Sequence, residues 1–493
     1  MNILPRLSRA IALVCALAPA GAAFGCDQLP AGQTLWIRLA ASISTYTVKA
    51  GDPVQAVLTQ DLVCDNEIIL PMGARIEGIV RSRRKVGWGI RHETAALDLE
   101  FNYAAAPGIS FDLAARVEEV ENAREQVHNG VIQGIRSSDT FQGSINSRLI
   151  HLPTWNPYSD PFLIAYKVTF PIFPEPEIYY PAGTDIRLRT TQPVSLPAAV
   201  EPAHVLTADD ALDSDQPDSS EIDKFVGELP WRVTTVKKAD ADVVNIVFLG
   251  SENQVKAAFV EAGWHTADHA SRYTYMRNFY ALLNNSGYPQ QPMITFMLDG
   301  KPEDMNWQKG LNSYGRRDHL RIWQWNDPTT GSPVWISSST HDTGATLSIK
   351  YKGFVHHIAP EIDDERSTVI RDLNFAGCIK SVSYASRPSV PTATRNAIGD
   401  VMFTDGSVAV VTLQDCHPAD PQLDSISTAT YKPGNYAFRY IRKEILTFRN
   451  DIWRANIIYG MYDAGRIVVT ALRHKPPVQR QTAAVPAGST AHS

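Results

Sequence analysis

The chain has little cysteine, five residues in 493, and no two of them are spaced as CxxC. That spacing excludes a zinc ribbon and a thioredoxin-like redox motif. Positive charge is also short. The formal net charge is −6, which argues against general nucleic-acid binding while leaving room for a local basic patch. Beyond the first residues, no run is long and apolar enough to cross a bilayer. A βα start at Asp242 lacks a glycine-rich phosphate loop, because LGSENQ holds a single glycine, so a nucleotide site is discounted.

The chain opens MNILPRLSRAIALVCALAPAGAAFGC. Arg6 and Arg9 form a positive n-region, Ala10 to Ala18 a short apolar core, and small residues follow to Gly25. This is the pattern of an export signal. Cleavage near Gly25 removes Arg6 and Arg9 and takes the net charge from −6 to −8. The mature chain is expected to carry no transmembrane segment and to be periplasmic or secreted. Lipidation of Cys26, giving an outer-membrane lipoprotein, is the alternative. Phe24 stands where a lipoprotein box wants a small residue.

Cys15 leaves with the signal, and Cys26, Cys64, Cys378 and Cys416 remain. An even count in an exported chain implies two disulfides. Pairing by proximity joins Cys26 to Cys64 and Cys378 to Cys416, with the other two connectivities open. A lipidated Cys26 would leave Cys64 unpaired.

Length and composition imply a multidomain protein. After the signal at 1–25, residues 26–197 read as an all-β sandwich or barrel-like module. Short runs such as TLWIRLA, ARIEGIVRS and ALDLEFNYA are separated by Gly, Pro, Asp and Asn turns. Alternation in ALDLEF places Leu97, Leu99 and Phe101 on one face. IILPMGARIEGIV and YYPAGTDIRLRTT each deliver the chain into a strand through a Pro-x-Gly turn. The basic run Arg81 to Lys85, followed by Trp88, reads either as a solvated hairpin loop or as a contact for an acidic headgroup or polymer. Residues 198–228 are acidic and interrupted by proline, the composition of a mobile linker.

From 229 to 420 the pattern changes. DVVNIVFL is a buried strand. A helix follows, capped by Ser251 with Gln254 in capping-box position and ended by Gly263. Further helices are predicted over Ser271 to Asn284 and from Pro360 to Ala376, with strands between them. The mixture implies an α+β domain around a largely antiparallel sheet. Residues 421–474 are read as an extension packing on it, and 475–493 as a disordered tail.

Arg316 to Arg366 holds four of the 13 histidines, His319, His341, His356 and His357. Strand alternation puts His319, Arg317, Arg321, Trp323 and Trp325 on one face of RRDHLRIWQW, and Trp335 and His341 on one face of PVWISSSTHD. If these strands pair, they could form one exposed or cleft-lining surface. His356 and His357 point to opposite faces, so only one can join. Asp363 and Glu365 open a helix and complement its dipole. Alternatively, one of them serves as a metal ligand or general base beside His341. Imidazole and carboxylate suit a divalent metal, although no HxxxH or HxH spacing in this window fixes two ligands on one element. His319, His341 and His357 are the metal and acid/base candidates, joined by Asp363 as a catalytic candidate. Arg317 and Arg321 are the candidates for holding an anion, and Trp323 and Trp335 for a ligand platform, with core packing as their plainer role.

Two resemblances follow from these motifs. AGDPVQAVLTQDLV with ILPMGARIEGIV is similar, over about 30 residues of mostly turn chemistry, to the β-rich domain of TrbI-like conjugation channel components. NIVFLGSENQVKAAFVEAGWHTAD, MLDGKPEDMNWQK, RRDHLRIW, PVWISSSTHDTG and HHIAPEIDDER together resemble the LssY-type C-terminal domain over about Asp242 to Gly377. The second resemblance implies an envelope context with lipid or phosphate connections, and it carries no catalytic residues across. The reading is an exported envelope protein that binds a ligand or partner, either an envelope component or an anionic small ligand. The alternative is a hydrolase, metal-assisted or built on His and Arg, acting on a phosphoester or lipid-derived substrate.

Overall fold

The computed structural model describes residues 26–64, 67–89, 91–136, 140, 175–197, 219–326, 333–348 and 353–417, with helical stretches at 437–438, 441–442 and 445–446 and residue 468. The signal segment, the tail, and most of the linker and the 421–474 extension lie outside the described residues.

Six strands make the barrel of the N-terminal module: β1 (Thr34–Leu39), β2 (Pro53–Leu58), β3 (Arg75–Arg84), β4 (Ala96–Ala106), β5 (Ile109–Val120) and β6 (Asp185–Thr190). They pair antiparallel in the order β4-β3-β2-β1-β6-β5, and β5 returns to pair with β4. Of the sandwich or barrel expected, the chain forms a closed barrel. Alternation fills it. Leu35, Ile37 and Leu39 point inward from β1, and Leu97, Leu99 and Phe101 are buried on β4. Gly78 lets β3 approach β4 closely, since a Cβ there would lie 2.3 Å from the Glu100 carbonyl oxygen.

The two Pro-x-Gly turns are equivalent in three dimensions. Gly73 and Gly183 have φ of 84° and 85°. Gly73 N donates to Leu58 O and Gly183 N to Leu39 O, each at 2.8 Å. Each turn thus docks on the end of a preceding strand before launching the next.

The second module contains β7 (Arg232–Thr235), β8 (Asp240–Val243), β9 (Ile246–Leu249), β10 (Phe296–Leu298), β11 (Met305–Gly310), β12 (Arg316–Asn326), β13 (Pro333–Ser348), β14 (Gly353–Ile358), β15 (Ile379–Ser386) and β16 (Ser407–Leu413). Its helices are α1 (Ser219–Glu228), α2 (Glu252–Glu261), α3 (Arg272–Asn284) and α4 (Ile362–Phe375). The main sheet runs β11-β12-β13-β9-β16-β15, with β14 also on β13. Only β9–β16 is parallel among these pairings. The α+β architecture with a largely antiparallel sheet is therefore present. α2 and α4 cover one face through Val255, Phe259, Val369 and Leu373, packed on Leu320, Ile322 and Val411. α1 and the small β7/β8/β10 sheet cover the other through Val226, Val233 and Leu298, packed on Val247, Ile336 and Val410.

The Ser251–Gln254 capping box forms as predicted. One expectation needs correction. The last ten residues of the segment read as linker, 219–228, are α1, because Val226 and Leu229 supply an apolar anchor for the sheet. Val401–Phe403 and Ser407–Leu413 flank the Asp405-Gly406 turn but do not pair with each other. The first pairs with Ala393–Arg395 and the second with β15 and β9.

A polar junction joins the modules. Lys309 Nζ reaches Asp185 of the barrel at 2.6 Å and Asp372 of α4 at 2.7 Å. Arg38 of β1 binds Asp185 at 2.7 Å and Asp372 at 3.3 Å. Arg371 binds Glu121 at 2.9 Å and lies 3.8 Å from the Trp36 ring centroid.

Candidate functional site

The register of β12 and β13 decides where the candidate residues go. Arg317 pairs with Asp342, Asp318 with His341, and His319 with Thr340. Directly opposed residues share a face, so His341 and His319 lie on opposite faces of the sheet. The single histidine–arginine–tryptophan surface expected from the sequence is therefore two separate polar clusters.

The cluster on the α4 face contains Asp318, His341 and Glu365. One ligand atom from each lies within 4.8 Å of the others. β12 supplies Asp318, β13 supplies His341, and the first turn of α4 supplies Glu365. His341 Nδ1 donates to Asp318 Oδ1 at 2.6 Å, because an ionised carboxylate can only accept. Asn122, from the barrel, donates to the second Asp318 oxygen at 2.6 Å. Glu365 is 3% exposed, and its Oε1 has no hydrogen-bond partner. Glu121 Oε2, also from the barrel, is likewise unpartnered.

The electrostatics follow from burial and crowded charge. Burial, with Asp318, Glu121 and Asp372 nearby, pushes the Glu365 carboxyl well above its ordinary range. Burial pushes Glu121 up to about 7 against the pull of Arg371. Burial would raise Asp318 and lower His341. Their mutual hydrogen bond and charge outweigh this, so Asp318 is lowered and His341 raised. These shifts favour the protonated forms of His341 and Glu365 and the ionised form of Asp318. A divalent cation could replace those protons using one nitrogen and two carboxylate ligands.

The cluster on the opposite face centres on Asp342. Arg317 Nε donates to Asp342 Oδ2 at 2.8 Å and its Nη1 to Gln308 Oε1 at 2.7 Å. His356 Nδ1 lies 3.3 Å and His319 Nδ1 3.7 Å from the Asp342 carboxylate. Burial pushes His319 down to about 3 and His356 down to about 4, so both are neutral near pH 7. Gln291 donates to His356 Nε2 at 3.1 Å. Burial would raise Asp342, but His319, His356 and Arg317 hold it well below the carboxylate range.

Several candidates have other roles. His357 pairs with Asp400 at 2.8 Å and with Thr346 at 2.8 Å, apart from both clusters. His356, not His357, is the member of the pair that joins a cluster. Asp363 accepts from Thr404 Oγ1 and Asp405 N and binds Arg366, so it anchors the loop before β16. Arg321 donates to Ile294 O at 2.9 and 3.1 Å and stacks on Phe296. Trp323 and Trp335 are buried, donating to Lys301 O and Gly250 O, and neither forms a platform. Sequence reasoning singled out neither Asp318 nor Asp342, nor Glu121 and Asn122 of the barrel. The one available signal was the inverted pair RDH and THD, which complement each other in an antiparallel register.

Residues 226–408 match the family model described as LssY C-terminus. The match contains the segment that carried that resemblance in the sequence. Among solved structures, ComB10 of the Com type IV secretion system of Helicobacter pylori shows 13% identity and a TM-score of 0.21, covering 36% of this chain and 93% of that one. No curated protein matches the chain. No helix among the described residues is long and apolar enough to cross a membrane. Both disulfides join the cysteines expected, Cys26 to Cys64 and Cys378 to Cys416.

Proposed function

We propose that this is an exported envelope protein whose LssY-type module binds a divalent transition cation through Asp318, His341 and Glu365. The observation that carries this reading is the convergence of three ligand atoms within 4.8 Å from three separate elements, one of them Glu365, whose Oε1 has no hydrogen-bond partner. Glu121 and Asn122 reach the same cluster from the barrel, so the cation would also tie the two modules together. One imidazole among carboxylates favours Mn2+ or Zn2+ over a thiophilic ion. The export signal and two disulfides support an oxidising compartment.

A hydrolase built on His319, His341, His357, Arg317 and Arg321 required those groups to converge. They lie on two faces and in a third, separate contact, so binding is the reading retained. The experiment is metal analysis of the purified chain after exposure to Mn2+ or Zn2+ and desalting. About one equivalent is expected, lost in His341→Ala. No stoichiometric metal in the wild type would reject the proposal.

A further inference from the structure

The barrel carries a second cavity, far in sequence from the LssY-type module and independent of the cation reading. It has a volume of about 810 Å3, within the usual size of small-ligand pockets. Its wall is the end of β3 and the turn after it. Arg83 and Arg84 close the strand, and Lys85 follows. Val86 is buried, and Gly87 and Gly89 take φ of 56° and 74°. These left-handed positions fold the chain sharply, with Gly89 N donating to Val86 O at 2.8 Å, and they leave Trp88 40% exposed at the cavity.

The charge around this cavity is one-sided. Among the described residues, Arg83, Arg84, Lys85, Arg91 and Arg442 line it, and no carboxylate does. Two acids lie behind it, Glu175 and Glu177, and Arg442 binds both. Glu177 also accepts from Gly87 N at 2.8 Å and from Thr45 Oγ1 at 2.7 Å. Among the described residues, that leaves four cations facing the space without an acidic partner. Arg84 is the informative one. Its Nε donates to Thr94 O at 3.0 Å, and its Nη2 to Thr94 Oγ1 at 3.1 Å and Gln133 Oε1 at 3.2 Å. Uncharged acceptors hold the guanidinium in place without neutralising it. Only its Nη1 hydrogens remain to reach an anion, so Arg84 adds fixed positive charge and a one-nitrogen contact for a phosphate. Trp88 meets Phe438 edge-on, centroids 5.0 Å apart, so an apolar wall stands beside the cations.

We infer that this cavity binds a phosphoester anion that also carries an apolar group. The arginines take the phosphate and the Trp88–Phe438 wall takes the apolar part. The same chemistry occurs in a free aryl or alkyl phosphate and in an anionic phospholipid headgroup.

The test uses the full mature chain. Phenyl phosphate is titrated calorimetrically, and vesicles of phosphatidylglycerol or of phosphatidylcholine are co-sedimented with the protein. Binding is expected in at least one anionic arm, with little to phosphatidylcholine, and it should weaken about tenfold or more in the Arg83→Gln/Arg91→Gln double variant. Arg83 and Arg91 make no hydrogen bond or ion pair with the described residues, so the melting temperature of that variant should match the wild type. If the double variant fails to fold, Lys85→Gln is read in its place. Phenyl phosphate alone binding identifies a free phosphoester, and vesicles alone binding identifies a headgroup. Binding in neither arm, or binding that survives the arginine substitutions, overturns the inference.

Discussion

Asp318 and His341 face each other across β12 and β13, with Nδ1 of the imidazole 2.6 Å from Oδ1 of the carboxylate. The pair fixes the imidazole orientation. Glu365 completes the cluster, and burial with the surrounding carboxylates pushes its carboxyl upward, towards the neutral form.

Substitution of Glu365 separates stability from cation binding. Burial favours the neutral form of Glu365, so Glu365→Gln should change metal-free stability by no more than about 1 kcal/mol. Metal binding should be lost, because the amide cannot become an anionic ligand. Asp318→Asn should destabilise the metal-free protein by about 3 kcal/mol by leaving His341 buried without its counter-charge. Urea unfolding with chelator, alongside metal titration, measures both quantities. Equal stability losses in the two variants would count against a protonated Glu365.

The cation should bind more tightly as pH rises. Binding displaces protons from Glu365 and His341, both of which are raised above their ordinary values. Calorimetry in buffers of different ionisation enthalpy should detect proton release. Affinity independent of pH would show that these two groups are not the ligands.

The two faces of the sheet should titrate in opposite senses. In metal-free protein, NMR should find His319 and His356 neutral down to about 3 and about 4, and His341 charged above its ordinary value. For His356 the unfolded chain takes up a proton near pH ~6.5 that the folded protein resists until about 4. Its contribution therefore declines as pH falls below ~6.5. The stability of His356→Asn relative to wild type should rise over that interval, by up to about 3 kcal/mol. His341 has a raised folded value, so its stabilisation is complete below ~6.5 and is lost as pH rises through that value. A His356→Asn difference that stays flat between about pH 7 and pH 4 would be the contrary result.

Local features were legible in the sequence because they depend on neighbours. The Ser251 capping box needs three residues of spacing, and inward-pointing Leu97, Leu99 and Phe101 need only the period of a strand. Register is different. Whether His341 opposes Asp318 or His319 is set by the whole β12–β13 ladder, and a shift of one residue would exchange the two faces. The barrel's share was further out of reach. Asn122 meets Asp318 across 196 positions, and no local pattern links them. In the sequence, Trp323 and Trp335 read more readily as core than as a platform, and nothing local decides between the two. Their burial depends on α1 and α2, which pack on opposite faces of the sheet.

The module junction should be worth far more than any exposed ion pair. Lys309 is half-buried between the buried carboxylates of Asp185 and Asp372, which also share Arg38. Lys309→Met leaves two buried carboxylates with one guanidinium between them, so a loss of about 3–5 kcal/mol is expected. Arg189 and Glu118 form an exposed pair on the barrel, and Arg189→Gln should cost less than about 1 kcal/mol. Denaturant unfolding followed by separate probes in each module makes the comparison. Because the junction couples the modules, Lys309→Met should also split one transition into two. A single unchanged transition would mean that the modules are held together elsewhere.

The two disulfides close loops of the same sequence separation, 38 residues each, so chain entropy assigns them similar stabilisation, about 4 kcal/mol apiece. Their surroundings differ. Cys378 is completely buried in the core under α2 and α4, and Cys416 packs against the same cluster. Cys26 and Cys64 pack at the margin of the barrel core. Cys416→Ser should therefore leave a Cys378 thiol that is protected until the second module unfolds, whereas Cys64→Ser should expose Cys26 to thiol reagents in the native state. Thiol counting under denaturing, non-reducing conditions should find no free thiol in the mature wild type. One or more free thiols there, or a native Cys378 as reactive as Cys26 in these variants, would contradict this assignment of bridges and cores.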